Sequence, residues 1–452
     1  MSRRVALQTG TPTARSIAST GGAVGMTGPV FENSFHLTSS YFISMRFHHK
    51  QSFPLDLHRF DIRHLGAFPS LATHRIIMQI GFTVVGSFYP IFIYEFVSQN
   101  LVLMFWWFAI CYGLRIPLYA LAAKFFSRVG LRASMMMGVI MWMLYYAGGL
   151  LLDVSIDFNT NLILFASFLT LAFYHALYWA PFHVDFAKFS RHKFRGREVS
   201  LLHIMRYVIG IFVPIGAGLL ITLYSYKAIF IIGICAGPLS LIPLLFLPKT
   251  HVQYEFGYFE TFKKLLSKKF SYLTISSMAQ GVESATSYIA WPVFLFIIFK
   301  GEYLDVGIFS ALIILVSLVL QWIMGRLVDK KSPKRYLGLG ARVYSLGWFI
   351  KAFVDSVVGV FGASTFHSFG AILMRTPFDT MVYEKAADSG HYIDEFTVIR
   401  EIAVTIGRFS IVVAMAILAV WLPLTTAFVL AGVASLAISL LARFVTGDAF
   451  GT

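Results

Sequence analysis

Residues 228–247 read AIFIIGICAGPLSLIPLLFL. None of these twenty residues is charged. A helix of that length spans about 30 Å, the thickness of the hydrocarbon core of a bilayer. The run is apolar on every side and lacks the alternation of a barrel strand. Lipid offers no partner to an open backbone, so the stretch reads as a helix that crosses a membrane. Lys227 and Lys249 flank it.

Outward from this stretch the pattern repeats. Comparable runs lie at 76–97, 101–121, 133–152, 161–182, 200–223, 270–298, 304–324, 337–354, 357–380, 397–420 and 424–445, which with the first predicts twelve transmembrane helices. Composition agrees: the 452 residues are 57% hydrophobic and 13% charged, about half the charge of an ordinary globular chain. The fold class is therefore an all-α integral membrane protein. The formal net charge of +15 then reads as membrane topology, not as nucleic-acid binding. Cys111 and Cys235 both sit in apolar runs, which excludes a disulfide scaffold and a cysteine-built metal site. Nothing in the sequence calls for a cofactor or a metal.

The bases sort by side. Lys124, Arg128 and Arg132 fall in one loop, and Lys188, Arg191, Lys193, Arg195 and Arg197 in the next but one. Lys249, Lys263, Lys264, Lys268 and Lys269 lie in the central connection. Arg326, Lys330, Lys331, Lys334, Arg335 and then Lys385 continue the series, whereas the alternate loops hold only Lys227 and Lys300. The positive-inside rule places both termini in the cytoplasm, as an even number of spans requires.

Residues 1–70 contain no long apolar run and are expected to form a largely disordered cytoplasmic tail. Its acid-poor, arginine-containing start is compatible with a transit peptide or with a later true start at Met45. His48, His49, His58 and His64 match no metal spacing. Segment 249–269 separates two sets of six spans. Phe259, Phe262, Leu265 and Leu266 alternate there with lysines, which suits a short helix lying on the membrane surface. The expected division is 71–248, 249–269 and 270–446.

The halves carry an internal repeat. Pro181-Phe182 after the fourth span is followed by Glu198, and Pro377-Phe378 after the tenth by Glu395, at spacings of 17 and 18. Asp153 and Asp355 occupy matching places after the third and ninth spans. Two related six-helix halves are a transporter arrangement.

Gly325-Arg326-Leu327-Val328-Asp329-Lys330-Lys331-Ser332-Pro333-Lys334-Arg335, between spans eight and nine, resembles the loop motif of the major facilitator superfamily. Gly325, Leu327, Asp329, Lys330 and Lys334 fit that motif, and the likeness extends over about residues 71–446. In the copy between spans two and three only Arg128, Gly130 and Arg132 fit, and Ser127 stands at the acidic position. The resemblance implies a bacterial-type secondary transporter in which two pseudo-symmetric bundles rock about a central site, lined by spans one, four, seven and ten. Asp329 is open to two readings, a conformational latch or simple topology. The drug-exporter motif of span five survives only at Pro214 and Gly218.

Ionisable groups inside spans are the functional candidates. Glu283 lies near mid-span in the seventh, after Gln280 and before Ser284, Ser287 and Tyr288. Burial disfavours the charged form of a carboxyl, so such a group can carry a proton or make a packing hydrogen bond. His175 shares a helix face with Trp179, next to Tyr178, and His367 lies in the tenth span. Either can bind substrate, carry a proton or serve packing. Arg375 is expected near the cytoplasmic mouth, to attract an anion or to snorkel. Tyr89-Pro90 and Trp291-Pro292 pair a ring with a potential bend; such rings can line the cavity, face lipid or serve packing. Arg115 needs a partner, Lys351 and Asp355 are spaced for an ion pair or a snorkelling pair, and Arg408 for an inter-helix salt bridge. Arg206, Arg400 and Glu401 read as structural, and His183 and Asp185 as a gate.

The expected partners are a small-molecule substrate, the bilayer and protons. The chain is expected to be a monomer in a cell membrane, and its compact loops suggest a bacterial inner membrane. The alternative is a non-transporting sensor or scaffold. Import and export both remain open. No phosphate-binding glycine-rich loop suggests ATP-driven work, and no acid pair or His-x-x-x-His within a span suggests an enzyme.

Overall fold

In the computed structural model, residues 66–154, 159–189, 195–328, 333–388 and 392–445 are described. The first span is a broken helix, α1 (Ala67–Gly86) and α2 (Tyr89–Phe96). It is followed by α3 (Leu101–Val129), α4 (Leu131–Asp153), α5 (Thr160–Phe189), α6 (Arg195–Tyr224) and α7 (Tyr226–Leu245). The connection holds α8 (Tyr258–Leu265). The second half comprises α9 (Ser271–Ala285), a π-helical turn (Thr286–Ala290), α10 (Trp291–Ile298), α11 (Tyr303–Val328), α12 (Pro333–Ala352), α13 (Val357–Asp388), α14 (Ile393–Leu418), α15 (Thr426–Ala437) and α16 (Leu441–Val445).

Among the described residues, eleven helical runs are long and apolar enough to cross a membrane. The remaining span, α12, has the length at 20 residues but carries Arg335, Arg342 and Lys351. Its polarity has a use in the site. The first helix starts earlier than the apolar run indicates, because Leu71, Ala72 and His74 are buried and extend the packed face back to Ala67. Residues 66–70, expected in the tail, belong to this packed start. The rest of the tail, with Met45 and its histidines, lies outside the described residues.

Proline shapes the first helix of each half. Pro90 and Pro292 have no N–H to give, and their rings crowd the carbonyl four residues earlier. The chain answers by ending α1 at Gly86 before Pro90, and by widening to a π turn before Pro292. Pro181 and Pro377 likewise lie inside the long helices α5 and α13, so the sequence repeat has a structural counterpart.

Each half packs mainly on itself. α1 lies on α7, α4 on α5 and α7, α9 on α14 and α15, and α12 on α13 and α15. Two seams join the halves, α3 against α14 and α6 against α11. Tyr119 donates to Glu401 at 3.5 Å across the first, and Tyr207 donates to Gln321 across the second. Small residues set the spacing inside the second half. A Cβ on Gly370 would lie 2.5 Å from the Tyr344 backbone nitrogen, and one on Gly347 would lie 2.7 Å from His367 Cα. This close approach of α12 and α13 brings Tyr344 and His367 together, their ring centroids 4.2 Å apart.

The ends differ. At the end away from the basic loops, Glu95 on α2 accepts from Tyr226 on α7 at 2.5 Å and from Tyr303 on α11 at 2.7 Å. Tyr303 also meets the rings of Phe88, Tyr226 and Phe296, and α2 packs on α10. That end is closed by contacts between the halves. At the basic end, Gly130 turns the chain with φ +88, and Arg132 Nη1 donates to the carbonyls of Leu245 at 3.2 Å and Leu247 at 2.8 Å. These are orphan acceptors at the end of α7, where a cation is favoured.

Candidate functional site

The centre of the second half is a buried carboxylate with its donors. Glu283 on α9 is 2% exposed. A lone carboxylate there would be costly, and three side chains converge on it. Arg375 Nη2, from α13, donates to Glu283 Oε1 at 2.7 Å and to Tyr344 Oη at 3.2 Å. Tyr344, from α12, donates to the same carboxylate oxygen, and Ser287 Oγ donates to it at 3.0 Å. Arg375 lies four residues from the basic end of the apolar stretch Val357–Asp379, and its side chain reaches from there to the carboxylate. Its side chain keeps 49% of its surface exposed while Glu283 keeps 3%. The arginine therefore faces an open cavity from which the acid is shielded.

A second polar cluster adjoins the first. Tyr344, Trp348 and Lys351 follow one face of α12. Lys351 Nζ sits 3.3 Å from His367 Nδ1 and 3.7 Å from the centroid of the Trp291 ring. The expected pairing of Lys351 with Asp355 is not made: Lys351 is buried among Trp291, Trp348 and His367, and Asp355 is exposed. A cation can rest on indole faces where no carboxylate reaches it.

The first half contributes a facing wall. His74 on α1 is fully buried; its Nδ1 donates to the Ser240 carbonyl at 2.8 Å and its Nε2 accepts from Tyr178 at 3.0 Å. The next residue, Arg75, lies 4.8 Å over the ring of Trp179 and donates to Gln79 at 2.8 Å. Arg206 on α6 is exposed, and Arg375, Arg75 and Asp379 are among its electrostatic neighbours. Three guanidinium groups from two halves thus share one region.

The sequence candidates separate on this frame. Glu283, Arg375 and His367 come together, as described. His175 and Trp179 are partly buried on α5, their rings stacked at 6.4 Å. Tyr178 is fully buried against His74. Tyr89 is fully buried in an aromatic core, 4.8 Å from Tyr145 and in contact with Phe168 and Phe230. Gln280 is bound at 2.9 Å by Arg400, which also pairs with Glu401 at 3.0 Å. The salt bridge expected of Arg408 is replaced by a hydrogen bond to Ser284 at 3.0 Å. Arg115 finds a thiol and a ring, with Nη2 3.2 Å from Cys111 Sγ and its guanidinium 4.8 Å over Tyr112. At the basic end of α5, Asp185 accepts from Thr250 at 2.6 Å, and His183 stacks on Trp179.

Of the loop motif, Arg128 ends α3 exposed, and Gly130 and Arg132 act as described above. Gly325 lies in the last turns of α11. Asp329 and Lys330 lie outside the described residues, as does the side chain of Lys334. Among the described residues, no group of three or more His, Cys, Asp or Glu side chains could hold a metal ion.

Sequence reasoning missed Tyr344, Arg75, His74 and Glu95, and gave Lys351 and Arg206 structural roles. The signal for Lys351 and Tyr344 was there: the span least apolar in the chain holds a Tyr, a Trp and a Lys on one face. Arg75 and His74 fell outside the first span because that span was begun at residue 76.

Residues 71–407 match the family profile of the Major Facilitator Superfamily. Solved transporters share the fold. A POT family transporter in complex with 5-aminolevulinic acid aligns with TM-score 0.59 at 13% identity, over 84% of this chain and 96% of that one. A D-xylose–proton symporter aligns with TM-score 0.61 at 12% identity, over 86% and 99%. The transporter FucP in its outward conformation aligns with TM-score 0.60 at 10% identity, over 85% and 100%. No curated protein sequence matches the chain.

Proposed function

The chain belongs to the Major Facilitator Superfamily and is a secondary transporter, and from that premise we propose that it couples solute movement to protons through Glu283. The observation that carries this is the exchangeable pair, a shielded carboxylate held by an arginine that faces the cavity. Removing Arg375 from Glu283 leaves a buried charge, at a cost of about 3–5 kcal/mol. A proton on Glu283 removes that cost. Protonation therefore weakens the Arg375 contact, and a solute that draws Arg375 away favours uptake of a proton. Ser287, Tyr344 and Lys351 complete the immediate field, while Arg400 and Arg408 of α14 stand on the adjacent Gln280 and Ser284. One solved neighbour is a proton symporter, which supports this reading.

The rest follows from alternating access between the halves, 71–248 and 270–446, about the connection 249–269. With the basic loops in the cytoplasm of a cell-membrane protein, the closed end is external and the conformation is inward-facing. His175, Trp179 and His367 line the path, Tyr178 and Tyr89 stiffen α5 and α2 behind it, and Gln280 positions α9 against α14. Arg128, Gly130 and Arg132, where α3 turns into α4, reset between states. Both halves of the path lie within one chain, so a monomer suffices.

The test is Glu283→Gln in proteoliposomes. Net uptake driven by a pH gradient is expected to fall to background while solute exchange at equal pH persists. Unchanged gradient-driven uptake in the variant refutes the proton role.

A further inference from the structure

The polar groups around the cavity are unbalanced in sign. Arg75, Arg206 and Arg375 arrive from α1, α6 and α13, and Arg206 lies in the field of both others. Lys351 adds a buried cation at 5% exposure. Against these four stand Glu283, already held by Arg375, and Asp379 near Arg206. Arg75 is satisfied by Gln79 and the Trp179 ring, and no carboxylate pairs with it among the described residues.

Two hydrogen-bonding atoms left over beside these cations have the same character. Trp179 Nε1, beside Arg75, and His367 Nε2, beside Lys351, are buried without an acceptor among the described residues. An ammonium can only donate, so His367 Nδ1 accepts from Lys351, and a neutral ring then carries its proton on Nε2. Both unsatisfied atoms are donors. A cavity with surplus cations and surplus donors lacks an acceptor that carries negative charge.

We propose that the cargo is an organic anion whose acid group is gripped by Arg75, Arg206 and Arg375 between the two halves, with a flat apolar body beside Trp179. This rests on the transport reading above and names the substrate class of that site. The planar guanidinium suits two-point contact with a carboxylate or phosphate. Arginines from both halves also give the anion a reason to draw the halves together. A cation or a neutral amide offers no such gain.

The experiment uses the full chain in detergent and then in proteoliposomes, with three probes of one shape: 3-phenylpropionate, 3-phenylpropionamide and 3-phenylpropylamine. Phenyl phosphate and a lysophosphatidylglycerol are added to separate a soluble acid from a lipid headgroup. The carboxylate or the phenyl phosphate is expected to raise the melting temperature with saturation, while the amide and amine do not. Arg75→Gln and Arg206→Gln are each expected to weaken that binding about tenfold or more, the loss expected for one charge-assisted contact. Arg75→Lys tests charge alone and is expected to recover only part. Stabilisation by the amine or amide equal to that by the acid overturns the proposal, as does stabilisation by the lipid alone. If the acid binds but a pH gradient drives no uptake, the proton reading fails and this one stands. If a gradient drives uptake of the amine, the reverse holds.

Discussion

Tyr303→Phe should open the closed end. Tyr303 donates to Glu95 at 2.7 Å and so ties α11 of the second half to α2 of the first, while Tyr226 holds the other carboxylate oxygen from within the first half. Of the two bonds to Glu95, that of Tyr303 is the one that crosses between halves. A hydrogen bond to a charged acceptor is worth about 1.5–3 kcal/mol. Glu95 is partly buried and in reach of water, so the lower range applies, about 1–2 kcal/mol. The phenyl ring keeps the contacts with Phe88, Tyr226 and Phe296, which confines the change to the hydroxyl. The ratio of outward-open to closed molecules should therefore rise about five- to thirtyfold. The assay is thiol labelling at Ser87→Cys, below the contact, in a background where Cys111 and Cys235 are Ser. The labelling rate follows the population in which the path is open from that side. The Tyr226→Phe control, which breaks a bond inside one half, should change the rate much less. Equal rates for Tyr303→Phe and its parent, with folding intact, would falsify the latch.

Three further outcomes follow from the same structure. Lys351→Met removes a buried cation that no carboxylate pairs among the described residues, so the protein should melt at or above the parent temperature while binding of the acid probe weakens; a lower melting temperature with unchanged binding contradicts the assignment. Gly407→Ala sets a Cβ 1.9 Å from the Met278 carbonyl, where α14 meets the backbone of α9. Neither backbone can yield, so a loss of about 1–3 kcal/mol or more is expected in detergent unfolding, and a neutral result would mean that the helices lie further apart. Arg132→Ala uncaps the carbonyls of Leu245 and Leu247 and should cost about 1 kcal/mol in the same assay; an unchanged midpoint would show water serving as well.

Membrane spans were legible because lipid demands long apolar runs. The stretch 228–247 needs no tertiary information to be read, and α7 covers it almost residue for residue. Legibility failed where packing, not lipid, set the boundary. Ala67 to Arg75 is helical because Leu71 and His74 pack inward, which an average over apolar residues cannot detect. Within the site, the single acid of span seven marked itself, since a carboxylate in hydrocarbon is rare and needs a reason. Its partners did not. Tyr344 and Arg375 reach Glu283 only because glycines let α12 and α13 approach, a relation between distant positions. The same blindness paired Lys351 with Asp355 by spacing on one helix, when the indole of Trp291 on another helix was the better neighbour. Tyr89 illustrates the converse: a ring beside a proline can line a cavity or pack, and its position on α2 puts it in the aromatic core.

The central claim is that anion binding at Arg375 and protonation of Glu283 are one event. It is tested most directly by counting protons taken up as the acid probe binds to purified protein, by calorimetry at one pH in two buffers of different ionisation enthalpy. Uptake approaching one proton per anion bound is expected at neutral pH, and none in Glu283→Gln although the anion still binds. Binding without proton uptake in the parent protein, or the same uptake in the variant, would contradict it.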